Sequence, residues 1–258
     1  MSYPSISVTF LGTGTSGGVP MIGCNCHVCT SQNEKDKRLR SSILVQSNTT
    51  TLVVDTTPDF RTQMLREHVK KLDAVIYTHL HKDHIAGLDD IKAYNFFQKK
   101  PIDIYANEIT QNALKKEFSY IFADKKYPGV PSVNIHTITN EKFLVGDIPV
   151  TPILVYHLHM PVLGFRFGKF TYITDANRID EEEKKKIIGS DTLVLNSLRK
   201  TEHIAHFSLQ EAVTVIQELN IPHGHITHIS HQLGTHHEIN NELPENIQLA
   251  WDGLKLNF

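Results

Sequence analysis

The chain is poor in sulfur and in tryptophan: its 258 residues include three cysteines, four methionines and one tryptophan. Three is an odd number, and all three lie between Gly23 and Thr30, which excludes the paired cysteine framework of a small secreted domain. An excess of charge of either sign is also missing. With 26 Lys and Arg against 28 Asp and Glu the formal net charge is -2, so a long nucleic acid is not the expected partner. No apolar run approaches the ~20 residues of a membrane span, and MSYPSISVTF carries neither the basic nor the apolar part of a secretion signal. A soluble, cytoplasmic protein with no membrane partner is the expectation. There is no low-complexity tract, no linker and no internal repeat strong enough to claim. A chain of this length can bury one substantial core, and residues 1–258 are read as one domain.

Histidine is what the chain has in abundance, 16 in all, and that points to metal. In KLDAVIYTHLHKDHIAGLDDI four potential ligands, His79, His81, Asp83 and His84, fall within six residues directly after an apolar run. Residues two apart in an extended strand face the same side, so His79 and His81 can hold one ion together. Asp83 and His84 stand where the chain turns into a helix, and from there they can address a second ion. Imidazole suits Zn, Mn and Fe, and a carboxylate keeps the harder cations in play. Taken alone, Asp83 reads equally well as a helix N-cap. The density of ligands argues for metal.

A second cluster is GCNCHVC, with Cys24, Cys26 and Cys29. Three thiolates this close suit a structural tetrahedral Zn that needs one further ligand. The zinc loop is placed at about residues 20–38. His27 is awkwardly placed to close on the same ion, and a histidine near the C-terminus is the better candidate. The glycine-rich run from Gly12 to Gly18 could cradle a phosphate, but it lacks the Lys of a P-loop. It reads rather as a tight turn that brings backbone near the site.

Periodicity predicts strands at 5–11, 42–46, 51–55, 102–106, 133–138, 148–156, 162–167, 170–174, 192–196 and 225–229. GFRFGKFTYITD reads as a hairpin turning at Gly168 and Lys169. Helices are expected at 59–68 behind Pro58, at 85–97, at 109–122 and at 181–188, the last with its Glu and Lys run left to solvent. Ser208 caps a further helix to about 220, with Glu211 completing a capping box. This order fits one domain of two packed αβ halves.

HxHxDH behind an apolar strand resembles the signature of the metallo-β-lactamase superfamily. That resemblance implies a four-layer αββα sandwich with a dinuclear metal site at one edge of its sheets. Further ligands are then sought at strand ends, where His157 follows VTPILVYH, Asp175 ends FTYITD and His228 ends HITH. His79, His81 and His157 would hold one ion, and Asp83, His84 and His228 the other. Asp175 would bridge them, since one carboxylate can span two cations roughly 3.5–4 Å apart. His159 competes with His157 from the same side of a strand; His157 is preferred.

Within the superfamily the chain resembles the PhnP subgroup, the phosphoribosyl 1,2-cyclic phosphodiesterases of the carbon–phosphorus lyase pathway. The likeness runs from LGTGTSGGVP and GCNCHVC through THLHKDH, HLHMPVLGFRF and YITD to THISHQ and DGLKL. It implies His231 as the fourth ligand of a structural Zn beside Cys24, Cys26 and Cys29, and His206 of AHFSLQEA as a histidine near the scissile bond. It also implies two divalent catalytic metals, Mn or Zn with Fe or Ni admitted, and a homodimer. The implied reaction is opening of a small cyclic phosphodiester by hydroxide that two cations generate. Asp83 would orient it as well as ligate, and His206 would protonate the leaving alkoxide. The alternatives are hydrolysis of a thioester, lactone or β-lactam on the same fold, and a non-catalytic accessory metalloprotein, against which the full ligand set argues. A tRNA 3′-end nuclease would need a long basic arm, and the chain has no such insert.

Overall fold

The computed structural model describes residues 4–258. Two β-sheets lie face to face with helices on their outer sides, and the side-chain pattern of single strands explains why. Along Thr51–Val54, Leu52 and Val54 enter the core between the sheets while Val53 enters the core beneath the helices. Ser42–Gln46 does the same, with Ile43 and Val45 on one side and Leu44 on the other. A strand buried on both faces reads as a continuous apolar run, not as an alternation. Val8, Phe10 and Ile76 of one sheet meet Val150, Phe165, Phe167 and Tyr172 of the other. Phe60, Met64 and Leu114 cover the first sheet, and Leu209, Val213 and Ile216 the second. The result is the αββα layering that the resemblance implies.

The first sheet runs Lys255–Asn257, Ser7–Gly12, Ser42–Gln46, Thr51–Val54, Ala74–Ile76, Ile102–Ala106, Val133–Thr137. The second runs Arg178–Ile179, Ile148–His157, Met160–Phe167, Phe170–Tyr172, Thr192–Asn196, His223–Thr227, Ile247–Leu249, with Phe143–Val145 added beside Ile148–His157. In each order the first three pairings are antiparallel and the last three parallel. The two halves therefore repeat one plan that their sequences do not disclose. Parallel neighbours need a crossover, and the helices that supply it lie on the outer faces.

Several elements differ from the expectation. The helix expected at 85–97 is interrupted at Gly87, whose N–H donates to the Thr56 carbonyl at 2.8 Å. A Cβ there would lie 2.2 Å from the Thr57 carbonyl oxygen, so only glycine fits. The chain steps from Lys82–Ile85 through a 3₁₀ turn, Leu88–Ile91, into Lys92–Gln98. The helix expected at 109–122 splits at Phe118 into Glu108–Glu117 and Ser119–Phe122. Glu181–Ile187 is not wholly a solvated face, because Glu183 is buried and accepts the Leu154 N–H at 2.7 Å. The capping box of Ser208 and Glu211 is present, as is the two-residue turn at Gly168 and Lys169. Helix His236–Glu242 and the short strands at both sheet edges had no periodicity to announce them. Among the described residues no helix is long and apolar enough to cross a membrane.

Candidate metal centre

The site forms where strands of both sheets end. Asp55, Asp175 and His228 lie at or just past such ends with φ of 67°, 54° and 55°. A non-glycine residue in this left-handed region costs about 1–3 kcal/mol and persists only where its surroundings demand it. Asp55 and Asp175 follow the corresponding fourth strand of each sheet order, so the two halves deliver a carboxylate in the same way.

His84 Nε2 lies 3.2 Å from an Asp83 oxygen and 3.2 Å from Asp175 Oδ2, and Asp175 Oδ2 lies 3.1 Å from His228 Nδ1. Donor atoms of these four residues fall within 4.8 Å of one another, and so do those of His157, Asp175 and His206. Asp175 is common to both groups. The rings of His79 and His81 have centroids 4.7 Å apart, and the His81 and His157 rings 5.2 Å. All seven residues read from the sequence as catalytic-metal ligands are thus gathered, and His206 stands among them. Asp83 does not cap its helix, whose N-cap position is His81. His159 is exposed, turned off the strand beyond Leu158, which has φ 58°.

The ring nitrogens are oriented by a set of partners that the sequence reading passed over. Asp55, fully buried, accepts the His84 Nδ1–H at 2.7 Å, the Thr78 N–H at 2.8 Å and the Thr78 hydroxyl at 2.8 Å. That hydroxyl in turn accepts the His79 Nδ1–H at 2.9 Å. Both Nε2 atoms are thereby turned into the common space, where that of His79 is buried without a partner and that of His84 meets the Asp83 and Asp175 carboxylates at 3.2 Å without a well-aligned hydrogen bond. An unpaired buried nitrogen is costly, and a cation in that space relieves both, so the residues fit divalent metal. His157 donates its Nδ1–H to the Ala205 carbonyl at 2.8 Å, which leaves its Nε2 free. His228 Nε2 lies 3.3 Å from the Thr15 hydroxyl. Thr15 belongs to the glycine-rich run, and Gly14 there is bridged to both Arg40 and Ile229. A Cβ on Gly14 would meet the Arg38 carbonyl at 2.8 Å, so the run is a tight turn that carries Thr15 to the site. Asp55→Asn keeps the shape but cannot accept from all three donors; metal affinity should fall about 10–100-fold in a Mn(II) competition titration. Unaltered affinity would mean that His84 is oriented without Asp55.

The electrostatics match such a set. Burial pushes the Asp175 carboxyl up, but His228 and His84 outweigh it and hold it well below the usual carboxylate range. Burial pushes His79 well below its ordinary value, and His84 beside it pushes the same way. Burial also pulls His84 down, yet Asp175, Asp83 and Asp55 together hold it well above. His84 Nε2 thus faces the middle of a carboxylate cluster, a position that suits positive charge. His206 lies between His157 and His228, with ring centroids at 4.5 and 4.9 Å, and its Nδ1 is 3.9 Å from Asp175 Oδ1.

The cysteine loop meets the last histidine. Cys24 and Cys26 sulfurs lie 3.2 and 3.4 Å from His231 Nδ1, and the four donor atoms, Cys29 included, fall within 4.8 Å of one another. The Cys29 N–H and then His231 draw the Cys26 thiol down to about 6, while burial pushes Cys29 up to about 11. Three sulfurs and one nitrogen in this arrangement fit a tetrahedral Zn. His27 is outside the cluster, exposed and 3.5 Å from Glu238. His231 follows His228 by three residues, so the cysteine loop and the catalytic cluster share one segment of chain.

Residues 50–229 match the profile of the beta-lactamase superfamily domain. An octanoyltransferase of Porphyromonas gingivalis is 34% identical over 248 residues, which are 95% of this chain and 50% of that protein. The chain therefore spans about half the length of that relative. A crystal structure described as a new diphosphatase from the PhnP family superposes with a TM-score of 0.93 at 42% identity, over 98% of this chain and 97% of that one. Zinc-bound PqqB from Methylobacterium extorquens shares the fold, with a TM-score of 0.81 at 21% identity over 98% of this chain and 100% of that one. By the extent of these matches the chain belongs to the beta-lactamase superfamily, with the metallo-β-lactamase fold and a PhnP-family protein among its structural relatives.

Proposed function

We propose that the chain is a phosphodiesterase that opens small cyclic phosphodiesters, with phosphoribosyl 1,2-cyclic phosphate as the type substrate. The observation that carries this reading is the likeness, over 98% of the chain at 42% identity, to a PhnP-family protein described as a diphosphatase. A diphosphatase acts at phosphorus, and the likeness supports the same for this chain. We assign His79, His81 and His157 to one ion and Asp83, His84 and His228 to the other, with Asp175 between them. Two divalent cations held there would make water acidic enough to ionise near pH ~7 and would neutralise charge on phosphoryl oxygens.

The chain's own residues do the rest. Asp55 and Thr78 hold His84 and His79 in the tautomers that keep Nε2 inward. Asp83, a half-buried carboxylate beside His84, is placed to orient the attacking water. His206, its Nδ1 3.9 Å from Asp175 Oδ1, is drawn down to about 3 by burial, so in this reading it takes its proton from the attacking water and passes it to the departing alkoxide. His206→Ala should keep its metals and lose about 10²–10⁴-fold in turnover of an ester with a poor leaving group. An ester whose leaving group needs no proton should lose far less. An unchanged rate on the first ester would remove His206 from the reaction.

A second reading, hydrolysis of a thioester, is favoured by the likeness to half of an octanoyltransferase, since acyl transfer concerns a carbonyl carbon. One experiment separates the two. Mn-loaded protein is followed by ³¹P NMR with ribose 1,2-cyclic phosphate and with a 2′,3′-cyclic nucleotide, and by thiol release from an octanoyl thioester, with His81→Ala as blank. Ring opening by the wild type alone supports the phosphodiesterase. Thiol release without ring opening moves the reading to the carbonyl.

A further inference from the structure

Asp175, Ala176 and Asn177 leave the strand Phe170–Tyr172 in succession, and each is tied to a different part of the site. The fully buried Asn196 side chain accepts the Ala176 N–H at 2.7 Å and donates to the Ala176 carbonyl at 2.9 Å. That carbonyl also accepts the Phe207 N–H at 2.9 Å, which joins the residue after His206 to the residue after Asp175. Asn177 then bridges two loops. Its own N–H donates to the Tyr156 carbonyl at 2.9 Å; its side-chain oxygen accepts the Leu158 N–H at 2.9 Å, and its amide nitrogen donates to the Ile204 carbonyl at 2.9 Å. A peptide N–H only donates and a carbonyl only accepts, so the orientation of the amide is dictated by its partners.

The residues it holds are neighbours of functional ones. Leu158 follows His157 and sits at φ 58°, the turn that sends His159 away from the site. Ile204 precedes Ala205, whose carbonyl fixes the His157 ring, and His206 comes next. We infer that Asn177 is a positioning residue that locks the His157 turn and the His206 loop to each other and to Asp175. The contact with Leu158 sets His157, and the contact with Ile204 sets His206. Asparagine is suited to this because it is acceptor and donor at once. Aspartate offers only the acceptor, and alanine neither. The inference rests on the dinuclear reading of the site.

The test compares wild type, Asn177→Ala and Asn177→Asp, each freed of catalytic ions but keeping zinc on the cysteine cluster, by calorimetric titration with Mn(II), by thermal unfolding and by steady-state turnover. The wild type should take two ions. Asn177→Ala should bind one of them about 10-fold more weakly, leave the other unaltered, and lower kcat about 10–100-fold while KM shifts little. Asn177→Asp keeps the Leu158 contact, so its ion affinity should return to that of the wild type while kcat stays low. A folded Asn177→Ala protein with both ion affinities and kcat of the wild type would overturn the inference alone. Loss of ion affinity in Asn177→Asp as large as in Asn177→Ala would overturn the division between the two contacts. A wild type that takes fewer than two ions would overturn the dinuclear reading and this inference with it.

Discussion

Asp175→Ala should give a folded protein that retains fewer than two catalytic ions and has lost more than about 10³-fold in turnover, or ~4 kcal/mol of transition-state stabilisation. Of the gathered residues it alone belongs to both groups of donor atoms. Its side chain is 3% exposed and lies 3.2 Å from His84 and 3.1 Å from His228, so alanine removes the carboxylate assigned to bridge the ions and leaves His84 with Asp83 alone on that side. The loss of metal should be confined to the catalytic pair, because Cys24, Cys26, Cys29 and His231 form a separate cluster. The fold should survive, since the three apolar cores that hold the layers do not include the site. The metal-free variant should nevertheless unfold more easily than the metal-free wild type. Asp175 is the largest of the three carboxylate influences that hold His84 up, and without it the buried ring keeps only Asp83 and Asp55. Metal analysis after gel filtration, with kcat on a cyclic phosphodiester, checks the expectation. Two retained ions with turnover within tenfold of the wild type would remove Asp175 from the bridging position.

Cys26→Ser should act on stability first and on activity second. A cluster of three sulfurs and a nitrogen contributes to folding only when its metal is present, and the Cys26 thiol, drawn down to about 6, is the one already prepared to give up its proton. The variant should release zinc and unfold about 10 °C or more below the wild type, as a loss of roughly 3–5 kcal/mol implies for a chain of this size. The chain on either side of the cysteine loop is pinned independently. Buried Arg38 donates to the Thr13 hydroxyl at 2.8 Å and to the Ala250 carbonyl at 2.6 Å. The loosening should therefore travel the other way, through His231 to His228. Ile229 between them still donates its N–H to the Thr13 carbonyl at 2.9 Å, so the catalytic cluster should weaken without dissolving. Zinc release read with a chromogenic chelator and melting followed by circular dichroism test this together. A variant that keeps its zinc and its melting temperature would show that the loop stands without the metal.

What could be read from the sequence was set by how local the signal is. THLHKDH was legible because strand period and a following turn place four donors with no help from distant chain. Asp175 and His228 were legible as polar residues that end apolar strands. The choice between His157 and His159 was not decided by alternation, which puts both on one side. Leu158 breaks the alternation with φ 58°, and its N–H is held by Asn177, a residue of another loop. Asp55 was overlooked although TLVVD ends a strand with an acid as FTYITD does. Its role depends on Thr78 and His84, more than twenty residues away, yet the shared pattern could have found it. Gly87 gave no warning of the broken helix because the cause is the backbone at Thr57, close in space and distant in sequence. The common plan of the two sheets was hidden for the same reason, since strand order is fixed by pairing and not by residue identity.

Anomalous diffraction from crystals grown with Mn(II) and Zn(II), collected at both absorption edges, tests the central claim most directly. The account predicts two neighbouring peaks roughly 3.5–4 Å apart, with Asp175 between them. His79, His81 and His157 should surround one, and Asp83, His84 and His228 the other. A third peak at the zinc edge should lie among Cys24, Cys26, Cys29 and His231. A single catalytic peak, or a pair that does not touch Asp175, would contradict it.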